Sequence, residues 1–298
     1  MPNLEQFIKK TYTTRDTIIA YRTAGSGPPL LLLHGYPQTM FMWHLVADRL
    51  AEDFTVVMAD LRGYGDSGKP PTDSSHAPYS KRAMASDMAQ LMDYLGHKTF
   101  HLVGHDRGGR VSHRLARDHA AHVQTLTVLD IAPTANMYAA TDMAFARAYY
   151  HWFFLIQPAP LPETLIGGDP EYYLRHKIGS WGYHSDAHTP DALADYLRCF
   201  TPETIHASCE DYRAAATIDL IHDADDADKK LIMPVLALWG DKGFVGKTYD
   251  VVAEWQKVAE NVRGSATPSG HFIAEEAPVP PVKATERTPV NARSPSPT

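Results

Sequence analysis

Apolar and polar positions change rhythm several times along the 298 residues. Five short runs, continuous or alternating in apolar residues, read as strands: "DTIIAYRTAG" (16–25), "PPLLLLHG" (28–35), "FTVVMAD" (54–60), "TFHLVG" (99–104) and "QTLTVLD" (124–130). Between them, "FMWHLVADRLAED" (41–53), "SKRAMASDMAQLMDYLG" (80–96) and the stretch from Asp106 repeat their apolar positions at helical spacing. Strands alternating with helices predict an α/β fold, with a mostly parallel sheet covered by helices on both faces.

The rhythm breaks after "IAPTA" (131–135). Residues 136–218 hold no strand pattern and many aromatics, in "YYHWFFLI", "EYYLRHKIGSW" and "DYLRCF", with breaks at "QPAPLP" and "IGGDP". Strand character resumes at "MPVLALWG" (233–240). The pattern predicts a core built from residues 1–135 and 219–277, with a helical cap, 136–218, between them. Such a cap would cover the carboxyl ends of the strands, where open α/β sheets bind ligands. From residue 278 to 298, six prolines in 21 residues exclude an ordinary helix, and this segment reads as a disordered tail.

Composition narrows the class. A hydrophobic fraction of 44% and a net charge of -7 without charge blocks fit a soluble globular protein and argue against a nucleic-acid partner. "MPNLEQFIKK" has no apolar signal core and no run reaches membrane-spanning length, so a cytoplasmic protein without a membrane partner is expected. In that compartment Cys199 and Cys209 are expected to be free thiols. No metal-ligand spacing is present, and no metal or organic cofactor is expected.

Four motifs carry the chemistry: "LHGYP" (33–37), "DLRGYGDSGKP" (60–70), "GHDRGG" (104–109) and "SGHFIAEEAP" (269–278). In this order they resemble the α/β-hydrolases, over nearly the whole chain up to residue 278. In that fold "GHDRGG" resembles the nucleophile elbow, better known as G-x-S-x-G. Asp106 stands at its apex. An aspartate there could simply cap the helix, but the flanking glycines and a downstream histidine favour the nucleophile. Serine suits acyl transfer; a carboxylate suits displacement at a saturated carbon, leaving an alkyl ester. Hydrolysis of that ester needs a base, and His271 stands where the α/β-hydrolase histidine belongs.

The base needs an acid to hold its tautomer. In this superfamily the acid comes from the end of the sixth strand or from the loop after the seventh. In that loop, "LWGDKGFVG", the usual acid position is Gly243, and Asp241 falls too early. Asp130, ending "TVLD", is therefore the expected partner and Asp241 the runner-up.

Arg107 and Arg110 follow the nucleophile at a helix start, where cations are unfavourable unless an anion joins them. Arg110 could pair with Asp130 or Asp87, but two forked guanidiniums together suit a substrate carboxylate. "DRGGR" with an acid on strand six resembles the fluoroacetate (haloacetate) dehalogenases. That resemblance implies carboxylate binding by Arg107 and Arg110 and halide binding by His151, Trp152 and Tyr212. It further implies pocket-lining positions for Tyr36 and Trp181, and a homodimer. The implied reaction is hydrolysis of a haloacetate, fluoroacetate above all, to glycolate and halide. An epoxide hydrolase shares the aspartate nucleophile but gives no reason for two arginines. A ligand-binding receptor on the same fold would usually carry a broken triad.

Overall fold

A computed structural model describes residues 4–278; the expected tail 278–298 lies outside these residues except for Pro278. The run "LLLL" is the central strand β3 (Pro29–Leu33), and its four leucines are completely buried. Beside it lie β4 (Thr55–Ala59) and β5 (Phe100–His105), both parallel to it, as expected of strands covered on both faces. The sheet has eight strands in the order β1-β2-β4-β3-β5-β6-β7-β8. β1 (Ile8–Thr13) and β2 (Ile18–Ala24) form an antiparallel flap at one edge, while β6 (Val123–Leu129), β7 (Val235–Gly240) and β8 (Val262–Thr267) continue the parallel run.

Two strands escape the apolar pattern because they are edges. β1 reads "IKKTYT" and β8 reads "VRGSAT"; both are largely exposed and lack a buried face to impose alternation. The helix expected over 41–53 is also different. Asp60 Oδ1 accepts a bond from Met40 N at 2.8 Å. The chain then forms a 3₁₀ turn (Met40–Trp43) and a short helix (Ala47–Leu50).

Only helices lie between β6 and β7, from Thr134 to Asp225. Three start on a cap residue followed by proline. Asp169, Thr189 and Thr201 accept bonds from Tyr172 N, Ala192 N and Thr204 N, and Pro170, Pro190 and Pro202 take the first helical position. The last helix, Ile218–Asp225, is tied to the core, where Lys81 N donates to Asp219 Oδ1 at 2.9 Å. Cys199 and Cys209 are both buried free thiols. Among the described residues no helix is long and apolar enough to cross a membrane.

Candidate active site

The turn from β5 into the helix Asp106–Asp118 leaves no room for side chains behind it. A Cβ on Gly104 would lie 2.5 Å from Gly108 O, and one on Gly108 would lie 2.3 Å from His34 O. Asp106 itself takes a left-handed φ of 46°, a conformation costly for any residue with a Cβ. Its carboxylate Oδ1 accepts Tyr36 N, in the loop that follows β3, at 2.9 Å. Burial, the largest influence, pushes the carboxyl up. His271, His105, Arg110 and Arg107 together outweigh it, and the group sits below its ordinary value.

His271 follows β8 and places Nε2 3.9 Å from Asp106 Oδ2. Its other nitrogen, Nδ1, lies 2.6 Å from Asp130 Oδ2. Asp130 ends β6 with a left-handed φ of 51° and accepts Gly240 N on Oδ1 at 3.0 Å. The runner-up Asp241 pairs instead with Lys242 at 3.0 Å on the surface. Gly243 explains how the two usual acid positions exclude each other. A Cβ there would lie 3.3 Å from Asp130 Oδ1, so either residue can bring a carboxylate to the same place. Burial acts on His271 most strongly and pulls it down. The bond and charge of Asp130, then Asp106 and Glu276, prevail and raise it above 6.5.

The two arginines are held differently. Arg107 is fully engaged with Asp211 of the cap helix Pro202–Ala215. Its Nε donates to Oδ2 at 2.8 Å, and Nη2 donates to Oδ1 at 2.6 Å and to the backbone oxygen at 2.9 Å. The free fork expected from the sequence is thus already occupied by a protein carboxylate. Lys81 and Tyr64 also donate to Asp211, all of them buried. Arg110 has no carboxylate partner among the described residues. It donates to Ala132 O (3.2 Å), Thr134 Oγ1 (2.8 Å) and Met137 Sδ (3.4 Å), and its Nε has no partner. Asp87 is taken by Arg62. Burial first, and then Arg107, lower the Arg110 pKa, the signature of a cation short of negative charge.

The cap supplies the opposite wall. Trp152 packs on Arg110, whose guanidinium carbon is 4.7 Å from the indole centre. The Tyr212 ring lies 4.0 Å from the Arg107 guanidinium carbon and 5.7 Å from the His151 ring. Tyr212 and His151 are buried, and among the described residues Tyr212 OH and His151 Nδ1 have no hydrogen-bond partner. Tyr36 faces Tyr212 (5.5 Å), while Trp181 lies 4.5 Å from His151 and 5.6 Å from His271. An opening of about 200 Å³, lined by Trp181, Phe244, Gly243 and Tyr183 among others, leads to His271 and Asp130.

Sequence reasoning missed three supports. Asp211 and Lys177 are charges inside the cap; Lys177 stands at helical spacing between the apolar positions Leu174 and Ile178, a signal that could have found it, and Asp211 has none. His105, directly before the nucleophile, lies with Nε2 2.8 Å from His271 O and so braces the base. Burial, then His271, drives it down to about 3, so it stays neutral.

A sequence profile of the alpha/beta hydrolase fold matches residues 28–278. The chain is 45% identical over 276 residues to a fluoroacetate dehalogenase of Burkholderia sp, covering 92% of this chain and 91% of that one. It is 38% identical over 265 residues to a soluble epoxide hydrolase of Corynebacterium sp. (strain C12), covering 87% and 88%. The solved structure of ALR0039 from Nostoc sp PCC 7120, provisionally named an alpha/beta hydrolase, superposes with a TM-score of 0.92. It is 56% identical, covering 93% of this chain and 95% of that one.

Proposed function

The chain belongs to the α/β-hydrolase family, and on that premise we propose that it hydrolyses the carbon–halogen bond of haloacetates, with fluoroacetate the foremost substrate. The observation that carries this reading is a buried guanidinium, Arg110, with no carboxylate partner, on the same helix start as an ionised Asp106. A small carboxylate supplies the missing negative charge; a neutral epoxide would leave it missing.

In the first step a carboxylate oxygen of Asp106 bonds to the α-carbon and the halide departs with its electron pair. Arg110 holds the substrate carboxylate, and Arg107, steadied by Asp211, adds its charge. His151, Trp152 and Tyr212 can all donate, and the unpartnered Tyr212 hydroxyl and His151 nitrogen suit a concentrated anion. In the second step His271 takes a proton from water as the water oxygen attacks the ester carbonyl carbon. Asp130 stabilises the imidazolium, and Tyr36 N–H stands ready for the oxygen that becomes negative. Collapse releases the glycolate alkoxide, which takes the proton from the His271 imidazolium and so restores the base. The water oxygen remains on Asp106, whose carboxyl gives up its own proton to return to the resting state.

The test is fluoride release from fluoroacetate beside an Asp106→Asn variant, with a single turnover in ¹⁸O-water. The expected result is fluoride from the parent only and one heavy oxygen on Asp106. Unlabelled Asp106, or turnover that survives neutralising both arginines, refutes the mechanism. The epoxide reading draws on the Tyr212 hydroxyl, which could donate to an epoxide oxygen, and on the 38% identity to an epoxide hydrolase. Opening of styrene oxide without fluoride release would favour it. The same reading expects a homodimer, which light scattering on the purified chain checks.

A further inference from the structure

Lys177 lies on the cap helix Pro170–Trp181 and is completely buried. Among the described residues its Nζ has no hydrogen-bond partner and makes no ion pair. It faces aromatic rings instead: Tyr150 at 3.6 Å from the ring centre, Trp181 at 5.2 Å and Tyr173 at 5.4 Å. Ring faces replace only part of the hydration an ammonium loses, and burial pulls this amine down to about 7. A methionine or leucine would fill the cage without that cost. Packing therefore does not account for the charge.

Its neighbours suggest what does. Trp181 separates Lys177 from His151, the two rings being 4.5 Å apart. After burial itself, Lys177 is the strongest influence lowering the His151 pKa, ahead of His271, Arg107 and Arg110. The charge balance of the site points the same way. Arg107 and Lys81 are cancelled by Asp211 and Asp219, and Arg110 is balanced chiefly by Asp106, with Asp223 farther off. When Asp106 becomes an ester its negative charge passes to the halide, so the total is unchanged but one anion moves from the core helix to the cap wall, where Arg110 and Asp106 offer no matching cation.

We propose that Lys177 is the cap's counter-charge for the departing halide, a specificity-determining residue that acts from behind His151 and Trp181. The inference rests on the dehalogenase reading above. Lys177 touches neither substrate nor nucleophile. It helps keep His151 neutral, with a ring N–H to donate, and puts a positive field where the leaving group gathers charge. Fluoride, a poor leaving group, depends on that field most; bromide leaves with little help.

The test compares Lys177→Met and Lys177→Arg with the parent, using fluoroacetate and bromoacetate at pH 6.5. Methionine should lower kcat/KM for fluoroacetate on the order of tenfold, less than loss of a direct donor would. Bromoacetate should change by about twofold or less, and arginine should restore most of the loss. Folding is checked by melting, where Lys177→Met should match or exceed the parent because a buried charge is gone. A pH profile adds a second readout. Fluoroacetate kcat/KM in the parent should fall as pH rises through about 7, the amine losing its charge, and Lys177→Arg should lose that fall. The other groups around the cage do not titrate there. Tyr150, Tyr173, Tyr36 and Cys209 lie above their ordinary values and His151 far below, while nearby His271 gives a limb that rises with pH.

An unchanged fluoride-to-bromide ratio in folded Lys177→Met, or equal loss with both substrates, overturns the proposal. Quenching of tryptophan fluorescence by bromide, which needs no turnover, separates its failure from that of the dehalogenase reading. Weakened bromide binding in Lys177→Met supports the counter-charge; unchanged binding overturns it. A parent enzyme that binds bromide but releases no fluoride overturns the dehalogenase reading itself.

Discussion

Replacing Asp211 by Asn removes one negative charge from a cluster that contains no water-exposed member. Asp211 receives two side-chain bonds from Arg107 at 2.8 and 2.6 Å, one from Tyr64 at 2.6 Å and a short one from Lys81. These donors keep its carboxyl well below the usual range, against burial, which is the largest single influence. In Asp211→Asn, Arg107 and Lys81 stay buried with only Asp219, 3.4 Å from Lys81, as a remaining anion. Removing one partner of a buried pair costs about 3–5 kcal/mol, and Asn retains one acceptor oxygen, so the lower end applies. For a chain of this size about 2 °C of Tm accompanies each kcal/mol, giving a fall of roughly 6 °C. Function should suffer in a distinct way. Arg107, no longer held, loses its position beside the nucleophile, so KM for fluoroacetate should rise roughly tenfold and more than kcat falls. Calorimetry and fluoride-release kinetics read the two effects. A Tm within about 1 °C of the parent, together with an unchanged KM, would refute the view that Asp211 both clasps the cap and steadies Arg107.

Asp130→Asn should leave the first step working and slow the second by about 10³-fold or more, so intact mass after mixing with fluoroacetate should show the glycolyl ester accumulating. Adding Gly243→Asp to that variant should recover part of the turnover, because the new side chain starts 3.3 Å from the lost carboxylate's position; no recovery would mean that His271 cannot be served from that loop. His271 is held above 6.5, so its neutral form, required to activate water, disappears as pH falls through that raised value. The acid limb of kcat should therefore lie above pH 6.5, and a limb well below it would contradict the pairing with Asp130.

Asp106 and Asp130 were legible because each stands just beyond a strand marked by an apolar run, whereas His271, beyond the exposed β8, was legible from its motif "SGHF" alone. β1 and β8 were hidden for the opposite reason, since strands whose side chains face water carry no apolar run. The inner supports of the cap were hidden too. Residues 202–215 fold into a helix buried nearly all round, so Asp211 has no polar face to mark it as unusual, whereas Lys177 shares the single buried face of 170–181 with Leu174 and Ile178. The expected pair of free arginine forks was half met. The residues lie where expected, but the partner that occupies Arg107 comes from a segment about a hundred positions downstream, beyond what local spacing can report.

The cap–core clasp has a consequence for traffic. Swinging the cap away like a hatch would drag Asp211 off two buried cations, a motion far harder than shifting a few surface side chains. The opening beside Trp181 and Phe244, which reaches His271 with the cap in place, has a volume of about 200 Å³, below that of pockets for drug-sized ligands. A site under so firmly held a cap favours small acids, and haloacids with bulky side chains should turn over far more slowly than haloacetates.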